Sequence, residues 1–346
     1  MIQMNLQEKF NKIFQKEFIK KSGEHAVVYG TTGSGKTNFV LDLALQLKKY
    51  NKETIIWRDY GKESEVLSLA QFHSLKFFHP EGTISKLNFD PDILEHELFY
   101  SEFKNIDDIL NNLDKTAINV LSMRRYLMEP EYFTRFWSEF FTTFIQYALQ
   151  NQLPRPLSFV IDEMNNICPA KGQGFTTEQS ALSNRIAFNI DNLRAMKTRL
   201  VATSQGLTKI KKNVRTQFQW LFFKRLNELI DVDIPRLKFA QSFVQTLLVD
   251  QVIVMMPNKI YTDPIGNIPL RLIYLKENQH IIYDGKFEFK KERKQSKAQK
   301  ISKRRKAQAI ELKSKNWNNQ EIANFIGISR NQVYKFLKTA KKVDNE

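Results

Sequence analysis

The stretch Gly30-Thr31-Thr32-Gly33-Ser34-Gly35-Lys36-Thr37 satisfies the P-loop pattern G-x-x-x-x-G-K-[ST] at every position. Its surroundings narrow the fold further. The apolar run Ala26-Val27-Val28-Tyr29 predicts a buried strand and Asn38 to Leu47 predicts a helix, so strand, glycine loop and helix follow in the order a phosphate cradle needs. Glycines let the backbone curl until successive N–H groups face phosphate oxygens, and the helix N-terminus adds partial positive charge. The eight residues Gly30, Thr31, Thr32, Gly33, Ser34, Gly35, Lys36 and Thr37 are therefore the candidate ATP-binding set. Lys36 would reach the β- and γ-phosphates, and Thr37 would place its hydroxyl on Mg2+.

Further strand signals recur at intervals suited to an α/β sheet. Glu53 to Gly61 predicts a strand that delivers Arg58 and Asp59 to its carboxyl end, either facing the ligand crevice or forming a strand-end charge pair. Thr116 to Met123 predicts another buried strand. From Pro130 to Gln150, aromatic residues spaced three and four apart predict a helix whose stripe enters the core rather than stacking on bases. Leu157-Ser158-Phe159-Val160-Ile161-Asp162-Glu163 is a near-continuous apolar run ending in two acids, the form of a Walker B strand. Asp162 would hold Mg2+ and Glu163 would act as general base on the attacking water. Arg199 to Gly206 predicts a strand ending in Thr203-Ser204-Gln205, where Gln205 could sense the γ-phosphate. Residues 235–284 read mostly as strands that finish a sheet edge.

Charge divides the chain. Of a net charge of +16, most lies from Lys286 onward, where 18 lysines and arginines face 6 acids. Such a local excess favours a polyanionic partner. Residues 286–303 read as a flexible basic linker poor in apolar residues. Beyond it, Gln320 to Ile326 and Arg330 to Leu337 predict two helices joined at Gly327, with Ser329 as N-cap of the second. One cysteine, Cys168, excludes an intramolecular disulfide and fits a reducing compartment. No Cys/His spacing suggests zinc, and no apolar run reaches transmembrane length, so a cytoplasmic protein without an integral membrane segment is expected.

In order, GTTGSGKT, IIWRDYGK, FVIDEMNN, RLVATSQG and NVRTQF resemble the FtsK/HerA superfamily of P-loop motor ATPases over roughly residues 25–275. The resemblance implies a RecA-like domain with a mainly parallel sheet over 1–285, Gln205 as the sensor, and Arg194 or Arg215 as the finger supplied to a neighbour. It further implies a homo-oligomer, a hexameric ring around double-stranded DNA. The segment 304–346 resembles the helix-turn-helix of resolvase-type domains, which implies a small all-α unit presenting Arg330, Asn331, Gln332, Tyr334 and Lys335 to DNA. The implied function is an ATP-driven DNA translocase serving genome packaging or DNA transfer of a virus or plasmid. The alternative is an ATP-switched, sequence-specific regulator or replication initiator.

Overall fold

A computed structural model describes residues 6–59, 63–88, 96–123, 127, 129–174, 176–227, 241–257, 259–265, 280–284, 306, 308–310, 312–315, 317–326 and 329–341. The chain forms two compact units, Met1–Phe287 and Glu288–Glu346. The basic linker 286–303, residues 235–240 and 266–279 of the stretch expected to be mostly strand, and the turn at Gly327 lie outside the described residues.

In the first unit, α1 (Leu6–Phe14) precedes β1 (Ala26–Tyr29), α2 (Lys36–Asn51) and β2 (Thr54–Arg58). There follow α3 (Glu63–Leu67), β3 (Leu75–Pro80), β4 (Ile84–Asn88), β5 (Leu98–Phe103), α4 (Ile106–Asn111), β6 (Ile118–Leu121) and α5 (Pro130–Leu149). Next come β7 (Leu157–Ile161), α6 (Thr177–Ala195), β8 (Thr198–Ser204), α7 (Lys212–Arg215) and β9 (Trp220–Phe223). The unit closes with α8 (Gln241–Thr246), β10 (Val252–Met256), β11 (Lys259–Ile265) and β12 (His280–Asp284). Among the described residues ten strands make one sheet in the order β11-β10-β9-β1-β8-β7-β2-β6-β3-β5, and β12 pairs with β4 separately. Every pairing from β9 to β5 is parallel, and β10 and β11 add an antiparallel edge. This is the α/β, mainly parallel RecA-like sheet expected from the sequence.

The central strands β1, β2, β7 and β8 are buried throughout because helices cover both faces, which is why they read as continuous apolar runs. On one face, Val40, Leu43, Ala44 and Leu47 of α2 join Phe14 and Phe18 in a cluster with Trp220 and Phe222. On the other, the α5 stripe closes over β7: Phe140 and Phe144 each hold their ring centroid 5.4 Å from Phe159. Burial of each such side chain is worth about 1.5–3 kcal/mol. The aromatic helix is thus core. β5 and α4 were not legible in the sequence, because β5 is an edge strand whose polar Ser101 and Glu102 break the apolar run.

His25, fully buried before β1, ties three elements together. Its Nε2 lies 2.7 Å from the Ile190 carbonyl, and its Nδ1 accepts the Leu200 N–H at 2.9 Å. Only the neutral ring satisfies both contacts. Burial, reinforced by Arg199 and Arg194, pushes its pKa down from 6.5 to about 3 against the opposing pull of the Ile190 carbonyl. The unfolded chain therefore binds a proton that the folded chain refuses, and stability should fall as pH drops from 6.5 towards about 3. The expected slope approaches about 1.4 kcal/mol per pH unit, read from Tm or denaturant midpoints. A His25→Gln variant should lose part of that slope; an unchanged slope would exclude His25 as its source.

In the second unit, residues 308–310 and 312–314 are helical, followed by α9 (Asn319–Ile326) and α10 (Arg330–Lys341). Ala309, Ile322, Ala323 and Val333 form its buried core, with Leu312, Ile326, Phe336 and Leu337 packed against it. Both helices start with reciprocal caps. Asn318 Oδ1 accepts the Glu321 N–H while Glu321 Oε2 accepts the Asn318 N–H, and Ser329 and Gln332 exchange the same pair of bonds.

Candidate nucleotide site

The parallel strands point their carboxyl ends to one edge, and there the sequence motifs meet. The loop Gly30–Thr37 leaves β1 and is pinned from two neighbouring strands. The Gly30 N–H donates to the Ser204 carbonyl at 3.1 Å, and the Thr31 N–H donates to the Arg225 carbonyl at 2.8 Å. Gly35 caps α2 with φ of +83°, a left-handed conformation that side chains resist, and a Cβ there would also press on Val249. Gly30 is required for close approach: a Cβ would collide with Ser34 Oγ and stand 2.8 Å from Lys224 Cβ. Lys36, 7% exposed, folds back to donate to the Thr31 carbonyl at 3.0 Å. Among the described residues the buried Ser34 hydroxyl has no hydrogen-bond partner. A loop curled this tightly at a helix N-terminus, with an orphaned hydroxyl inside it, fits a phosphate chain.

The acidic pair lies two strands away, because β8 is inserted between β1 and β7. Asp162 follows β7 directly, and Glu163 takes the left-handed conformation with φ of +53°. Thr203 near the end of β8 fixes both. Its hydroxyl donates to Asp162 Oδ1 at 2.8 Å and accepts the Glu163 N–H at 2.8 Å. Gln205 Nε2 donates to Glu163 Oε1 at 3.1 Å, and Lys209 Nζ donates to Gln205 Oε1 at 3.2 Å. Glu163 is 4% exposed, and among the described residues its buried Oε2 has no hydrogen-bond partner. A carboxylate with one oxygen held and the other aimed at nothing can accept a proton from water. Left-handed backbone at a non-glycine residue is strain of the kind concentrated at functional sites.

Arg58 is turned into the core instead of the crevice. It is fully buried, donates from Nη1 to the Asp162 carbonyl, and its guanidinium stacks over Phe133 and Trp137 at 5.3 and 5.1 Å. It holds the acid turn from behind. Asp59, also buried, accepts from Ser122 Oγ at 2.8 Å. Thr37 is half-buried in the first turn of α2, on the same sheet edge as Asp162. These two hard oxygen donors fit Mg2+.

The two arginines lie apart. Arg194, in the last turn of α6, pairs with Asp191 at 3.6 Å and precedes β8, at the sheet end opposite the loop. Arg215, on α7, donates to the Leu207 carbonyl at 2.8 Å. In the second unit Arg330, Asn331, Tyr334 and Lys335 are exposed on α10, whereas the Gln332 side chain, though exposed, is turned to cap Ser329. Sequence reasoning missed Thr203, Lys209 and Lys224. The polar end of β8 was the signal for Thr203, since every side chain leaving that edge beside Asp162 is a candidate.

No family model and no curated protein matches the chain. Among solved structures it is similar to the genome packaging NTPase B204 from Sulfolobus turreted icosahedral virus 2 in complex with ATP-gammaS. That match is 14% identical and covers 77% of this chain and 98% of the other, with a TM-score of 0.43. It is also similar to the pCW3 conjugation coupling protein TcpA, at 14% identity over 69% and 59% of the two chains, with a TM-score of 0.36. A third likeness is to Thermomonospora curvata EccC, ATPases 2 and 3, at 11% identity over 79% and 38%, with a TM-score of 0.37.

Proposed function

We propose that this chain hydrolyses ATP and couples the cycle to movement of double-stranded DNA. The observation that carries the reading is Thr203, whose single hydroxyl ties the candidate metal carboxylate Asp162 to the candidate base Glu163 on the strand beside the P-loop. A protein that only bound nucleotide would not need a held base with a free second oxygen. Lys36 and the loop amides bind and orient the phosphates. Mg2+, held by Thr37 and Asp162, would offset their charge. Glu163 removes the proton of the attacking water, and Gln205, fixed by Lys209, orients Glu163 and reports on the γ-phosphate.

The DNA part of the proposal rests on the basic excess from Lys286 onward and on the exposed Arg330, Asn331, Tyr334 and Lys335 of α10, read as the second helix of a helix-turn-helix. The working form is a homo-oligomer, by resemblance a hexameric ring, in which Arg194 or Arg215 completes a neighbour's site. Among the described residues no helix is long and apolar enough to cross a membrane. The task is packaging or transfer of a viral or plasmid genome in the cytoplasm. Measuring ATP turnover of the full chain with and without long duplex DNA tests this. Stimulation that grows with DNA length is expected. Tight sequence-specific binding with turnover indifferent to DNA would favour the ATP-switched regulator instead.

A further inference from the structure

Lys224 is a lysine that no motif singles out. β9 runs parallel beside β1 with Phe223 opposite Tyr29, so the next residue emerges against Gly30, and the Lys224 N–H donates to the Tyr29 carbonyl at 2.8 Å. Its stem then follows the loop. Cβ would stand 2.8 Å from a Cβ on Gly30, and Cε 3.6 Å from one on Gly35. The residue is 1% exposed, and the one acceptor its ammonium meets among the described residues is the Val249 carbonyl.

An ammonium has three donors, and burying it against one neutral carbonyl is costly. Burial pushes the Lys224 amine down to about 8, with nearby Asp250 opposing. The other charged groups close by are Lys36 on the loop and Arg225, the next residue in the chain. The segment supplying the carbonyl is a short turn, closed by the Gln251 N–H to the Leu248 carbonyl at 3.1 Å. It lies across Gly35, with Val249 O and Cγ1 each 3.0 Å from the position of a Cβ there. Yet Leu248 is 63% and Val249 42% exposed, so little burial holds the turn down.

We propose that Lys224 is a second phosphate-binding cation of the cradle, which exchanges the Val249 carbonyl for a phosphate oxygen of a nucleoside triphosphate. Lys36 and Lys224 then approach the phosphate chain from α2 and from β9. The exchange frees the turn 248–251, so nucleotide arrival is felt at the antiparallel edge of the sheet. This inference rests on the reading of Gly30–Thr37 as a nucleotide cradle.

The test is calorimetric titration of the full chain with MgATPγS and with AMP, in wild type, Lys36→Ala, Lys224→Met and Lys224→Gln, each checked for folding by circular dichroism. A charge-assisted hydrogen bond is worth about 1.5–3 kcal/mol, so both Lys224 variants should weaken MgATPγS about tenfold or more. AMP affinity should be unchanged. Lys224→Met should also raise Tm without ligand, because a buried charge is gone, and shrink the rise that MgATPγS produces. MgATPγS binding within about threefold of wild type in both Lys224 variants, a difference under about 0.7 kcal/mol, would overturn the inference. If Lys36→Ala abolishes binding in that case, the cradle reading stands and only Lys224 is wrong. If Lys36→Ala also binds normally, the cradle reading itself has failed.

Discussion

Glu163→Gln is expected to lower ATP turnover by about 10²–10⁴-fold, the range for loss of a general base, while nucleotide affinity stays at the wild-type level. The separation of the two effects follows from geometry. Among the described residues Glu163 is held by Thr203 and Asn166 through its backbone and by Gln205 through Oε1, and none of these contacts is to a P-loop residue. Glutamine preserves the volume and can still offer its Oε1 to Gln205 Nε2. What it cannot do is take a proton at the position of the partnerless Oε2. Single-turnover hydrolysis alongside equilibrium binding of MgATPγS separates the steps. Retained turnover would remove Glu163 from the role of base, and a joint loss of binding would point to collapse of the acid turn.

Breaking the buried pair between Glu53 and Arg199 should have the largest effect on stability. Both side chains are fully buried, with Glu53 Oε1 2.9 Å from Arg199 Nη2. Glu53 also accepts from Asn51 Nδ2 at 2.7 Å and from Ser158 Oγ. Arg199 donates to the carbonyls of Phe18 and Lys21, each at 3.0 Å, and its guanidinium lies 4.2 Å over the Phe18 ring. Glu53→Ala would leave a guanidinium buried without its counter-charge, at a cost of about 3–5 kcal/mol. That is a large part of the about 5–15 kcal/mol by which a typical protein is stable. Removing both charges by Glu53→Leu with Arg199→Met should cost much less, because no uncompensated charge remains. Denaturant unfolding of the single and the double variant, each against wild type, measures the two losses. A Glu53→Ala loss below about 1 kcal/mol, the range of an exposed pair, would show that water reaches the site. Because Arg199 grips Phe18 and Lys21, proteolysis ahead of β1 should rise in the same variants.

The chemistry of single positions in this protein was legible where it depends on local spacing. Gly30 to Thr37 announced its loop because glycine and a following helix are local requirements, and α5 announced a core stripe because aromatic periodicity is local. Ser329 was legible as a cap for the same reason. Contacts between distant positions were not. Arg58 ends an apolar strand like any crevice-facing residue, yet α5 closes over it and turns it to the Asp162 carbonyl. Gln332 is a different case: its bond to Ser329, three residues away, is a local capping-box signal that the groove reading passed over.

The sequence by itself determined that a phosphate loop opens an α/β chain, that two acids end a buried strand, and that the basic charge gathers at one end. Only the tertiary structure decided what stands next to what. Inserting β8 between β1 and β7 puts Thr203 between Asp162 and Glu163, and setting β9 beside β1 lays Lys224 along the loop. Strand order arises from crossover connections between segments 40 to 190 residues apart, about which local spacing carries no information.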